Sequence, residues 1–137
     1  MIIAIDFDGI LCQDDGTFPK VGPPIYSMVS FTRELIDMGH EVVLWTSRTG
    51  KALQEAVAWC NDRGLHFCAV NENAPSNEAK YRSLYPEGTR KIYADLYIDD
   101  HNVEFVRSVQ LESIDAAIQR LIGLIRRLME DGKKQQG

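Results

Sequence analysis

The sequence predicts an α/β domain, an open parallel sheet sandwiched between helices, from three observations. Short unbroken apolar runs alternate with longer segments of helical spacing, glycines stand where the helical segments stop, and the connections are short. Ile2 to Ile5 is apolar throughout and closes on Asp6, as a strand buried on both faces of a parallel sheet would. Residues 14–24 hold two glycines and three prolines among acidic residues, which makes a loop. Ile25, Met28, Val29, Phe31, Leu35, Ile36 and Met38 then mark a helix, with Gly39 as its C-terminal cap.

Glu41 to Thr46 reads as a second buried strand. Leu53, Ala56, Val57, Trp59 and Cys60 give a second helix that stops at Gly64, and His66 to Val70 a third strand. A polar stretch, 71–90, contains a short helix around Asn77 to Leu84. Asp95 to Ile98 is a fourth strand that ends in Asp99 and Asp100. A fifth strand is expected near Val106 to Leu111. Ile114, Ala117, Ile118, Leu121, Leu124, Ile125 and Leu128 then form the apolar face of a C-terminal helix over about 113–131, followed by a polar tail, 132–137. At 137 residues the chain has room for a single domain, 1–137, and none for a large cap domain.

Composition narrows the function. A formal net charge of −5 argues against sequence-independent binding to nucleic acid or to anionic lipid, and the basic cluster at Arg126, Arg127, Lys133 and Lys134 reads as a solvated helix end. Three cysteines, Cys12, Cys60 and Cys68, lack metal-ligand spacing and read as reduced thiols. With no leader-like or membrane-spanning run at the start of the sequence, a cytoplasmic location is expected.

In open parallel sheets, ligands bind beyond the carboxyl ends of the strands. Three strand ends here carry chemistry: Asp6-Phe7-Asp8-Gly9, Thr46-Ser47-Arg48 and Asp99-Asp100. Two acids after an all-apolar strand, and two more at another strand end, repel unless a hard cation sits among them, and an oxygen-only donor set suits magnesium. His40, His66 and His101 are scattered, with no zinc-like spacing. Thr46 and Ser47 offer hydroxyl and backbone N–H donors for phosphate, although a helix N-cap explains the same pair. A lysine would balance phosphate against an attacking carboxylate, and Lys91 and Lys80 both compete for that place. Arg48, Asn71 and Asn73 are candidates for substrate specificity, with a surface salt bridge the plain alternative for Arg48.

Asp6-Phe7-Asp8-Gly9-Ile10, Leu44-Trp45-Thr46-Ser47, Lys91 and Ile98-Asp99-Asp100, in this order, resemble the motifs of the haloacid dehalogenase-like (HAD) hydrolase superfamily over residues 1 to about 102. The stretch from Asp95 to Asp100 with a lysine upstream is similar to its small, capless phosphatases, including deoxynucleotidases. The resemblance implies a Rossmann-like core and a phosphomonoester hydrolase with an aspartyl-phosphate intermediate. It implies Asp6 as nucleophile and metal ligand, and Asp8 as general acid/base with its backbone carbonyl on the metal. Thr46, Ser47 and Lys91 would hold the phosphoryl oxygens, and Asp99 and Asp100 would complete the magnesium site, with Asp100 favoured for the direct bond. The expected substrate is a phosphorylated small molecule or an accessible phosphate on something larger, and a homo-oligomer is one way to supply a lid. The rival from another class is a non-catalytic phospho-receiver or phosphate-binding module. A receiver needs an aspartate at the end of the third strand, where this chain has Asn71.

Overall fold

The computed structural model describes residues 1–136. Its elements run β1 (Ile2–Ile5), α1 (Tyr26–Asp37), β2 (Glu41–Leu44), α2 (Gly50–Asn61), β3 (Ala69–Val70), α3 (Pro75–Tyr81), β4 (Leu96–Ile98), α4 (Val103–Leu111) and α5 (Ile114–Gln136). The four strands form one sheet in the order β3-β2-β1-β4, and every pairing is parallel. The predicted α/β class is found, and no cap domain occurs among the described residues. None of the helices is long and apolar enough to cross a membrane, again among the described residues.

The described residues pack as two units, the first over 1–99 and the second from residue 100 onward. In the first, β1 is central and has neighbours on both edges, so its backbone is fully paired and Ile3, Ala4 and Ile5 are all buried. Each such isoleucine contributes about 2 kcal/mol by leaving water. From β1 the chain steps outward to β2 and β3, then returns to β4 on the far edge of β1. Right-handed crossovers in opposite directions lie on opposite faces of a sheet. Helix α1 packs on β2, while the return segment covers the other face, where Ala74, Ile92 and Ala94 pack on Ala4 and Val43.

Helix α1 ends as expected at Gly39, which takes φ +86° and donates its N–H to the Ile36 carbonyl at 2.9 Å. β1 spans the expected run, whereas β2, β3 and β4 are shorter than expected. Only Ala69 and Val70 of the expected third strand pair in β3, an edge strand with a single neighbour. The short helix of the polar stretch starts at Pro75, earlier than expected, with proline in its first turn, where no N–H is needed.

The second unit holds the largest correction. The segment expected as a fifth strand, Val106 to Leu111, is the body of α4. Asn102 caps it, its Oδ1 accepting the N–H of Phe105 at 2.8 Å, and the buried pair Phe105 and Ser108 has helical spacing. Valine favours strands, but here the Asn102 cap and the helical spacing of the buried residues go with a helix. Helix α5 extends beyond the expected 113–131, to Gln136. Its buried stripe is Ala117, Ile118, Ile122, Ile125 and Met129, rotated from the expected face, so that Ile114 and Leu128 are exposed. Arg120 forms a two-pronged pair with Glu112 (2.8 and 2.9 Å) that joins the start of α5 to the end of α4.

Candidate active site

Sheet register builds the site. Ile5 pairs with Leu44 on one side and Ile98 on the other, so Asp6 and Asp99 leave adjacent strands at the same level. The Asp6 N–H donates to the Ile98 carbonyl at 2.9 Å, extending the ladder by one rung. The connections diverge between β1 and β4, and ligands of open parallel sheets bind at such a point. Carboxylate oxygens of Asp6 and Asp99 lie within 4.8 Å of each other, both partly buried. Two unit charges at that distance repel by about 3 kcal/mol at an effective dielectric near 20. These two residues could hold a hard divalent cation, since their donors are all oxygen. Asp100, next in the chain, opens the second unit, and its Oδ1 lies 2.8 Å from Nδ1 of His101.

A tight turn follows Asp6. The Phe7 N–H donates to Asp6 Oδ1 at 2.8 Å, which fixes the carboxylate's orientation. The Phe7 carbonyl accepts from Leu11 (2.9 Å), and the Gly9 N–H donates to the Cys12 carbonyl (2.8 Å). Gly9 sits at φ +82°, where a Cβ would crowd the backbone, so the turn requires glycine. The incoming loop approaches closely as well: a Cβ on Gly22 would stand 2.0 Å from the Gln13 carbonyl oxygen.

Asp8 lies within this turn, and its carboxylate is claimed by Arg48. Nε donates to Oδ2 at 2.7 Å and the second guanidinium nitrogen to Oδ1 at 2.8 Å, a fork-on-carboxylate geometry. Arg48 is only 1% exposed, which corrects both expectations for it, substrate contact and surface salt bridge. Its guanidinium lies about 5 Å from the ring centroids of Phe7 and Phe18 (5.1 and 5.0 Å) and also donates to the Pro19 carbonyl at 2.8 Å. The bonds to Asp8 hold the guanidinium still more firmly charged. Arg48 therefore positions Asp8 and anchors the loop over it.

Thr46 and Asn71 form a second brace. The Thr46 N–H, expected as a phosphate donor, instead donates to Asn71 Oδ1 at 2.8 Å. Its hydroxyl oxygen accepts the Arg48 N–H at 3.2 Å, and the hydroxyl proton remains to donate. Ser47 is exposed beside it. Asn71, at φ +53°, thus ties the end of β3 to the end of β2. Asn73 is a brace too, its Oδ1 accepting from the Tyr93 N–H (2.8 Å) and the Asn77 amide (3.0 Å). The lysines are exposed, each with its ammonium near a tyrosine ring: Lys91 5.4 Å from Tyr97 and Lys80 5.1 Å from Tyr81. Lys91 also lines a cleft that Asp6, Asp8 and Thr46 do not line.

Sequence reasoning missed Cys12, whose thiol lies 3.8 Å from Asp8 Oδ1. Burial, and then the Asp8 charge, push this thiol up to about 12, and burial does the same to Cys60. Neither is a nucleophile at neutral pH. Only the unbroken apolar run Ile10-Leu11-Cys12, all three buried, could have hinted that Cys12 turns inward.

No protein-family model and no curated protein matches the sequence. Among solved structures, the chain is similar to a conserved protein coded by a locus of Bacteroides thetaiotaomicron, with 39% identity, a TM-score of 0.63, and coverage of 75% of this chain and 78% of that one. At that identity over that share of both chains, the protein belongs to the same family as the conserved Bacteroides protein.

Proposed function

We propose that this protein is a magnesium-dependent phosphomonoester hydrolase that uses Asp6 as its nucleophile. The observation that carries the reading is the pair of carboxylates, Asp6 and Asp99, within 4.8 Å of each other on neighbouring strand ends. Asp8, two residues beyond the nucleophile and held by a buried arginine, adds the acid/base group that phosphate transfer needs. Magnesium would be held by Asp6 and Asp99, with the Asp8 carbonyl as a further donor, and when bound it offsets charge on the transferring group.

A carboxylate oxygen of Asp6 attacks phosphorus, the bond to the leaving oxygen breaks, and a proton from Asp8 goes to that oxygen. Water then attacks the aspartyl-phosphate, Asp8 takes its proton, and the Asp6 carboxylate and inorganic phosphate are released. The Thr46 hydroxyl and the lysine donate to the phosphoryl oxygens. Both oxygens of Asp8 accept from Arg48, so each proton transfer requires one of those bonds to yield. With no cap domain among the described residues, the crevice admits a small phosphorylated metabolite or a phosphate on a larger molecule.

The test is steady-state hydrolysis by Asp6→Asn against a panel of phosphomonoesters. An amide does not attack phosphorus, so turnover and trappable acyl-phosphate should both disappear. Turnover near the parent rate would remove Asp6 from the mechanism.

A further inference from the structure

The segment between β3 and β4 builds a second cleft, of about 440 Å³, within the range of small-molecule sites. Four of the chain's five tyrosines line it: Tyr81, Tyr85, Tyr93 and Tyr97. The hydroxyls of Tyr93 and Tyr97 are tied down while ring surface stays open. The Tyr97 hydroxyl donates to the Ile92 carbonyl (2.6 Å) and accepts from the Ala94 N–H (3.1 Å), and the Tyr93 hydroxyl donates to Asp95 (2.7 Å). Tyr81 and Tyr85 stand with ring centroids 6.2 Å apart, tilted by 45°. Tyr85 is nevertheless 57% exposed and Tyr93 50%. Rings fixed before a ligand arrives lose little entropy on binding and offer π-faces to a flat partner.

The charge on the walls selects the partner further. Lys91 and Arg82 line the cleft against a single carboxylate, Glu78, which makes it locally positive in a chain of net charge −5. The Lys91 ammonium stands near the Tyr97 ring, at the edge of the aromatic wall. We propose that this cleft binds a small planar aromatic anion, its ring stacked among the tyrosines and its anionic group on Lys91. The proposal goes beyond the phosphatase reading: the two share Lys91 as a candidate anion-binding group, but neither Asp6 nor Asp8 lines the cleft.

Indole-3-acetate carries both features, 3-methylindole only the ring, and acetate only the charge. Each is titrated calorimetrically into the full-length Asp6→Asn protein in chelator, so that neither turnover nor metal-bound ligand contributes. Saturable binding of indole-3-acetate is expected, about tenfold or more tighter than 3-methylindole, with none detected for acetate. The ring of Tyr85 is more than half exposed, so replacing it spares the fold. Tyr85→Ala should weaken indole-3-acetate by about tenfold, and Tyr85→Phe should preserve binding. Lack of saturation at millimolar indole-3-acetate, equal affinity in Tyr85→Ala, or equal affinity of 3-methylindole would each overturn the proposal. None of these outcomes touches the phosphatase reading, whose own test is turnover by the unsubstituted protein.

Discussion

A guanidinium keeps its charge at any ordinary pH, so Arg48, 1% exposed, relies on the Asp8 carboxylate as its counter-ion. Removing one member of a buried pair typically costs about 3–5 kcal/mol. Asp8 keeps 29% of its side chain exposed, so Arg48→Ala belongs at the lower end, about 3 kcal/mol in a denaturation experiment. Arg48→Lys keeps the charge but loses the fork, and should retain most stability while its pH–rate profile shifts, because Asp8 is held by one donor rather than two. A pH–rate profile unchanged in Arg48→Lys would reduce Arg48 to a structural role. Asp8→Asn has a divided effect. It strands the buried guanidinium, which lowers stability, and it removes the proton donor. General acid/base help is worth about 10²–10⁴-fold, most of it for a poor leaving group. An alkyl phosphate should therefore lose far more rate than para-nitrophenyl phosphate at a temperature where the variant is folded. Equal losses on both substrates would refute the role given to Asp8.

Among the elements, the return segment from β3 to β4 carries both candidate countercharges, Lys80 and Lys91. Asp95 clamps its end: the Asp95 carboxylate accepts the Ile2 N–H at 2.7 Å, joining the approach to β4 with the start of β1. Burial pulls the Asp95 carboxyl upward, but the donors from Ile2 and Tyr93 outweigh it and hold it below its ordinary value. Such a group stabilises the fold above the unfolded carboxylate range and loses that contribution as pH falls through its lowered value. The clamp thus holds β4, and Asp99 at its end, in register at neutral pH. Lys80, in α3, and Lys91 both lie within the same segment. An ammonium that holds a phosphoryl dianion is worth about two orders of magnitude in kcat. We expect that loss from Lys91→Ala and a mild one from Lys80→Ala. The opposite ranking would move the countercharge to α3.

For the molecule as a whole, a metal that binds only the folded state raises its stability by mass action. Magnesium at ten times its dissociation constant should add about 1.4 kcal/mol, and so raise Tm by roughly 4 °C. Chelator should abolish phosphatase turnover and reverse that rise. An identical Tm with and without magnesium at pH 7, together with turnover in chelator, would exclude the metal from the mechanism.

The sequence by itself determined the parallel α/β sheet, because unbroken apolar runs such as Ile2 to Ile5 are tolerable only where both faces are covered. It also determined that Asp6, Asp8, Thr46 and Asp99 follow strand ends, since strand direction and covalent order permit nothing else. Short-range signals failed where two local preferences competed, as in α4, whose valines favour a strand and whose Asn102 cap favours a helix. Only the tertiary structure decided which partner each polar group meets. Arg48 and Asp8 lie forty residues apart in the chain, and Thr46 and Asn71 twenty-five, so their bonds depend on strand register and loop closure. The same holds for the tyrosine cleft, whose walls come from both ends of one crossover. Spacing along a chain sets the direction in which a side chain leaves its own element, while the atoms it meets belong to elements placed by the packing of the core.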